Sequence, residues 1–282
     1  MKNILGKSKV FSAGLVLAMA MAGSASAATV TFGGQIATDG SYKTSNKITA
    51  DNIITNAQLA NGYFVETFDQ ATAIPAFPPT PNTDFNVPGA SSGCAVNSPL
   101  AVTPSAPGKV NVRKGSVTNV AAAPAHDTTC YAYTTNNGSG TSYVDIDYTA
   151  FLASIGGTVP SLAGSYINYL GFYWGSVDTY NTFEFYSDNV LVKSVSGTDL
   201  LADLGGTSGD QVSDKSNVYV NIDFSAGEAF NRFRVVTSGI AGEFDNIVVG
   251  LDKRPGQVPA PTGLALLGLG LIGLGFTRRF KK

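Results

Sequence analysis

Histidine is almost missing from this 282-residue chain, where His126 is the single one. That excludes metal centres built on several imidazoles. A Ser-His-Asp site would have to use His126, which stands beside Asp127 in a loop rich in Ala and Pro and reads better as a solvated loop residue. Cysteine is nearly as scarce: Cys94 and Cys130 make only half a zinc site. Charge is low at 13 %, and Glu66, Glu184, Glu228 and Glu243 are the only glutamates. Among the aspartates no pair stands out as the two spaced carboxylates of a glycosidase, so no catalytic residue is assigned.

Long apolar runs occur only at the two ends. The first nine residues carry Lys2, Lys7 and Lys9 and lead into an apolar run from Val10 to Ala22, then into Ala25-Ser26-Ala27. Small side chains at Ala25 and Ala27 suit a signal peptidase cutting after Ala27, and the run is too short for a membrane helix. Residues 1–27 are therefore read as a signal peptide, with the export machinery as partner.

The whole-chain charge of −2 conceals an asymmetry. Between residues 28 and 257 there are 11 basic and 20 acidic side chains. A surface of that sign repels phosphate backbones, which excludes nucleic acid as a partner, and it offers carboxylates to hard cations. In a chain bound for an oxidising compartment, two cysteines favour one disulfide, Cys94 to Cys130, over a metal site.

The C-terminus holds three parts in order. Pro259-Ala260-Pro261 comes first, then an uncharged Gly/Leu-rich stretch from Thr262 to Thr277, then Arg278, Arg279, Lys281 and Lys282. As a helix rising about 1.5 Å per residue the stretch is marginal for a hydrocarbon core of about 30 Å, and Val258 and the terminal arginines extend its reach. The basic cluster stops transfer and stays on the cytoplasmic side, which leaves the body outside. This order resembles the PEP-CTERM sorting signal, and residues 258–282 are so read. The resemblance implies an exosortase-like processing enzyme as partner. The family's motif is Pro-Glu-Pro, and here Ala260 stands in place of the glutamate. The body is similar to exosortase-dependent surface proteins at Ala122–Thr129, at Tyr169–Asn181 and at Glu243-Phe244-Asp245-Asn246. That group implies no activity residue by residue.

In the body, 28–257, the stretch from Pro75 to Pro107 holds eight of the 13 prolines. Proline lacks the N–H donor, so 75–107 is read as a long loop rather than a helix or central strand. Beyond it the pattern has period two. Val144, Ile146 and Tyr148 alternate with polar positions, as do Phe183 with Phe185, Val218 through Phe224, and Phe233 with Val235. Ser187-Asp188-Asn189 marks a hairpin turn, and Asp199–Leu204 one or two helical turns. Many strands and almost no helix predict an all-β, antiparallel β-sandwich. A closing strand such as Glu243–Val249 and an early one at Phe64–Asp69 resemble jelly-roll modules, so a jelly-roll-like arrangement is expected.

No cofactor is required by these residues. Jelly-roll carbohydrate-binding modules often carry one structural calcium between first and last strands, and that resemblance implies Glu66, Asp69 and Asp245 as its ligands. The other reading, that these carboxylates hydrogen-bond turns, stays open. Tyr173, Trp174 and Tyr180 are the candidates for stacking on a glycan, although the period favours the core for Trp174. The reading is a non-enzymatic exported surface or biofilm-matrix protein. An extracellular polysaccharide-binding module is the alternative, and a secreted hydrolase the third.

Overall fold

The computed structural model describes residues 27–52, 61–69, 93–94, 101–106, 109–136 and 138–253. The signal-peptide run, most of the Pro-rich stretch, the sorting motif, the expected membrane helix 262–277 and the basic tail lie outside the described residues. Among the described residues no helix is long and apolar enough to cross a membrane.

The protein is all-β and mainly antiparallel. Its strands are β1 (Thr29–Phe32), β2 (Gln35–Ile36), β3 (Lys43–Thr44), β4 (Tyr63–Glu66), β5 (Ala101–Pro104), β6 (Val110–Lys114), β7 (Cys130–Thr135), β8 (Ser142–Asp147), β9 (Ser165–Gly175), β10 (Asn181–Ser187), β11 (Val190–Ser196), β12 (Val218–Asp223), β13 (Arg232–Thr237) and β14 (Ile240–Lys253). Among the described residues two α-helices, α1 (Thr149–Thr158) and α2 (Gly197–Leu204), join them. A large sheet runs β1-β12-β9-β14-β7-β6, with β4 also paired to β14. A smaller sheet runs β11-β10-β13-β8-β5.

The core lies between these sheets. Phe172 of β9 stacks on Phe183 of β10 at 4.2 Å between ring centroids, and Phe183 stacks in turn on Phe233 of β13 at 5.3 Å. Trp174 meets Phe183 edge-on at 4.3 Å. Ring pairs of this kind add roughly 0.5–1.5 kcal/mol each beyond the area they bury. The period-two reading holds for the smaller sheet: Val144, Ile146, Phe183, Phe185, Phe233 and Val235 are all buried, while their strand neighbours are half-buried.

Three features differ from the sequence reading. The Pro-rich stretch read as loop contains β5, which pairs only with β8 at the sheet's edge, where Pro104 needs to donate no ladder bond. Helix α1 was not expected; it is held by Phe151 and Ile155, both buried. Strands β9 and β14 of the large sheet are buried on both faces, and β12 is so at Tyr219, because residues 33–52 and the segment around Asp127 cover the outer face. There the hydroxyls of Ser45 and Tyr169 bond at 2.7 Å, and the Tyr42 ring lies 6.1 Å from that of Tyr173. Cys94 and Cys130 form a disulfide with Cα atoms 5.5 Å apart.

Candidate functional site

Strand β14 carries the polar groups that the outer cover encloses. Phe244 faces the core, against Phe68 and Phe183. Its neighbours Glu243 and Asp245 therefore leave the opposite face. They lie across from Gly175 and Tyr173 of β9. The register slips after Asp245, and Asn246 takes φ 48°, which tucks its side chain beneath the N-terminal loop. Its Nδ2 donates to Ser41 Oγ at 2.8 Å and to the Lys43 carbonyl at 2.7 Å.

Glu243 is fully enclosed and bonded at both oxygens. Oε1 accepts from the Ala122 N–H at 2.9 Å, and Oε2 accepts from the Ser176 hydroxyl at 3.1 Å. Burial pushes its carboxyl up to about 8, the two hydrogen bonds pull it down, and the charge of Asp178 adds to the rise. Beside it opens a cavity of about 390 Å³, lined in part by Asn119, Ser176, Asp178, Tyr180 and Gln211. Burial also raises Asp178, whose Oδ1 accepts from Ser208 Oγ at 2.8 Å. Tyr180 is half-buried on the wall, its hydroxyl donating to the Ile240 carbonyl at 2.8 Å.

No family model, curated protein or solved structure matches this chain. The site is accordingly read from its own geometry.

Asp245 contrasts with Glu243. It is wholly buried, and neither carboxylate oxygen has a hydrogen-bond partner. Asp127, 7 % exposed, comes towards it from the segment before β7. Its Oδ1 accepts from the N–H and hydroxyl of Thr129, both at 2.7 Å, while Oδ2 is unpartnered. Burial pushes Asp127 up to about 7, and the charges of Asp69 and Asp39 push the same way. Burial, then the charge of Asp127, holds Asp245 well above the usual carboxylate range.

Of the three carboxylates expected to hold calcium, Asp69 and Asp245 belong to this group. Asp69 accepts from the Cys130 N–H at 3.3 Å and bridges to Cys94. Glu66 turns elsewhere: it accepts from the Phe68 N–H at 2.6 Å, and its charge acts on Tyr148. Asp127 and Asp39 were not singled out from sequence. Of the glycan candidates, Tyr173 and Trp174 are fully buried, and Tyr173 donates to the Ala125 carbonyl at 2.8 Å. Neither presents a ring face to solvent. Tyr180 alone of the three borders an open cavity.

Proposed function

We propose that this protein is an exported cell-surface or biofilm-matrix component without catalytic activity, sorted through a PEP-CTERM-type tail by an exosortase-like enzyme. The observation that carries this reading is the three-part order of residues 258–282. The disulfide supports it, since such bonds persist in oxidising, extracytoplasmic surroundings. The body is a jelly-roll β-sandwich in this reading. Its support is the strand order, with β7-β14-β9-β12 facing β8-β13-β10-β11 and the chain passing between sheets at each of β7→β8, β8→β9 and β9→β10.

The test is fractionation of the full chain carrying an epitope tag inside the body, in a host with an exosortase. The wild type is expected at the surface. Replacing Arg278, Arg279, Lys281 and Lys282 together by Asn is expected to abolish membrane arrest. Identical distribution of both forms would end the sorting proposal.

A second reading rests on the cavity beside Tyr180. A partly enclosed polar hollow with one aromatic wall suits a segment of neutral polysaccharide, which an acidic surface does not repel. Retention of the full chain on matrix polysaccharide, lost in Tyr180→Ala, is the outcome this reading expects.

A further inference from the structure

Two buried carboxylates with three unpartnered oxygens need a counterpart. An isolated carboxylate removed from water is so costly that proteins pair it, protonate it or give it to a metal. Protonation is an incomplete answer here. It would remove charge from Asp245, yet among the described residues none makes a hydrogen bond of good geometry to either of its oxygens. The two lysines of the covering loop are engaged elsewhere, Lys43 with Asp214 at 3.6 Å and Lys47 with Asp223 at 3.5 Å. Asp39 and Asp69 add negative charge to the same place rather than relieve it.

We propose that a calcium ion binds between Asp127 and Asp245, taking Oδ2 of the first and the carboxylate of the second. The chemistry selects the ion. The free donors are hard oxygens, and the chain's two cysteines, Cys94 and Cys130, are locked in the disulfide, which disfavours zinc. Calcium accepts a bidentate carboxylate and irregular shells of six to eight oxygens, whereas magnesium demands a near-octahedral one. Among the described residues no three His, Cys, Asp or Glu side chains gather closely enough to hold an ion alone. The site is thus a two-carboxylate site completed by neutral oxygens, and its affinity belongs in the weak range of extracellular modules, with Kd about 10⁻⁴–10⁻³ M. The ion would tie β14 to the segment before β7 and to the covering N-terminal loop. This inference stands independently of the sorting proposal.

The experiment uses the full chain stripped with EDTA. Adding calcium to about 10 mM is expected to raise the folding constant roughly 10- to 100-fold, read as a rise in thermal midpoint, with magnesium giving a markedly smaller response. Asp245→Asn and Asp127→Asn are each expected to lose that response. Terbium luminescence, sensitised through the adjacent tyrosines and displaced by calcium, reads occupancy directly in the wild type, whether or not a variant folds. Stripped wild-type protein that neither responds to calcium nor sensitises terbium overturns the proposal. So does an Asp245→Asn variant that folds and responds like the wild type.

Discussion

Glu243 and Asp245 leave the same face of β14 two residues apart, one with both oxygens hydrogen-bonded and the other with neither. Both are enclosed by loops rather than by the second sheet. The difference separates a carboxyl that fastens the cover from one whose oxygens make no hydrogen bond beneath it.

The fastening role has a pH signature. Glu243 is held near 8 in the fold, above its ordinary value of 4.5, with Asp178, Tyr131 and Tyr180 as its titratable neighbours. The folded state therefore binds more protons than the unfolded one between those values. Stability from this group is full below about pH 4.5 and lost as pH rises through about 8, with a slope of at most ~1.4 kcal/mol per pH unit. Glu243→Gln is expected to flatten that slope relative to wild type. Urea unfolding at pH 5 and 8, with calcium fixed, measures it; parallel curves for both proteins would contradict the assignment.

The disulfide closes a loop with a sequence separation of 36. In the chain-entropy account that is worth roughly 4 kcal/mol. Cys94→Ser with Cys130→Ser is expected to lose a substantial part of this, measured as a lower denaturant midpoint, and thiol reductant should then have no further effect.

Trp174 and Tyr180 are expected to separate cleanly. Trp174→Ala removes a fully buried ring packed on Phe172 and Phe183, and should cost about 3–5 kcal/mol. Tyr180→Ala should cost less stability and should be the one that alters polysaccharide retention. Comparing unfolding midpoints with retention on a polysaccharide column distinguishes them. Loss of retention by Trp174→Ala while it remains folded would contradict the burial argument.

Gly171 marks a close approach. A Cβ there would collide with the Tyr169 hydroxyl and meet Tyr219 Cε1 at 2.6 Å, two rings that roof the outer face of the large sheet. Gly171→Ala is expected to destabilise by about 1–3 kcal/mol, read by thermal unfolding. An unchanged midpoint would mean that the roof gives way without loss.

The legible part of the fold was the part with one wet face. Alternation at Val144, Ile146, Phe183, Phe185, Phe233 and Val235 marks the core because the smaller sheet has a single buried side. On the large sheet the same rule fails: Tyr219 and Tyr173 occupy the polar phase of their strands and are fully buried, because residues 33–52 fold across them. Period carries no information about such a cover. Helix α1 escaped for a local reason. Gly156 and Gly157 weaken its second half, and the N-cap residue Tyr148 makes no capping bond, so tertiary contacts through Phe151 and Ile155 sustain it.

The acidic site was half legible. Likeness of strands points to Asp69 and Asp245, while Asp127 stands out in the sequence only beside His126 and within the Ala122–Thr129 likeness. What joins Asp127 to Asp245 is the packing of a loop onto a strand more than a hundred residues away in sequence. One local signal exists: Glu243 and Asp245 place two carboxylates on one face of a largely apolar strand, Glu243-Phe244-Asp245-Asn246-Ile247-Val248-Val249. Charges there call either for open water or for bonded partners.

Intact mass of protein released from the cell surface tests the sorting account most directly. The predicted mass lacks residues 1–27 and the tail beyond the Pro259-Ala260-Pro261 region, and is two hydrogens lighter for the Cys94–Cys130 bond. A mass equal to the uncut 282-residue chain with both thiols free would contradict it.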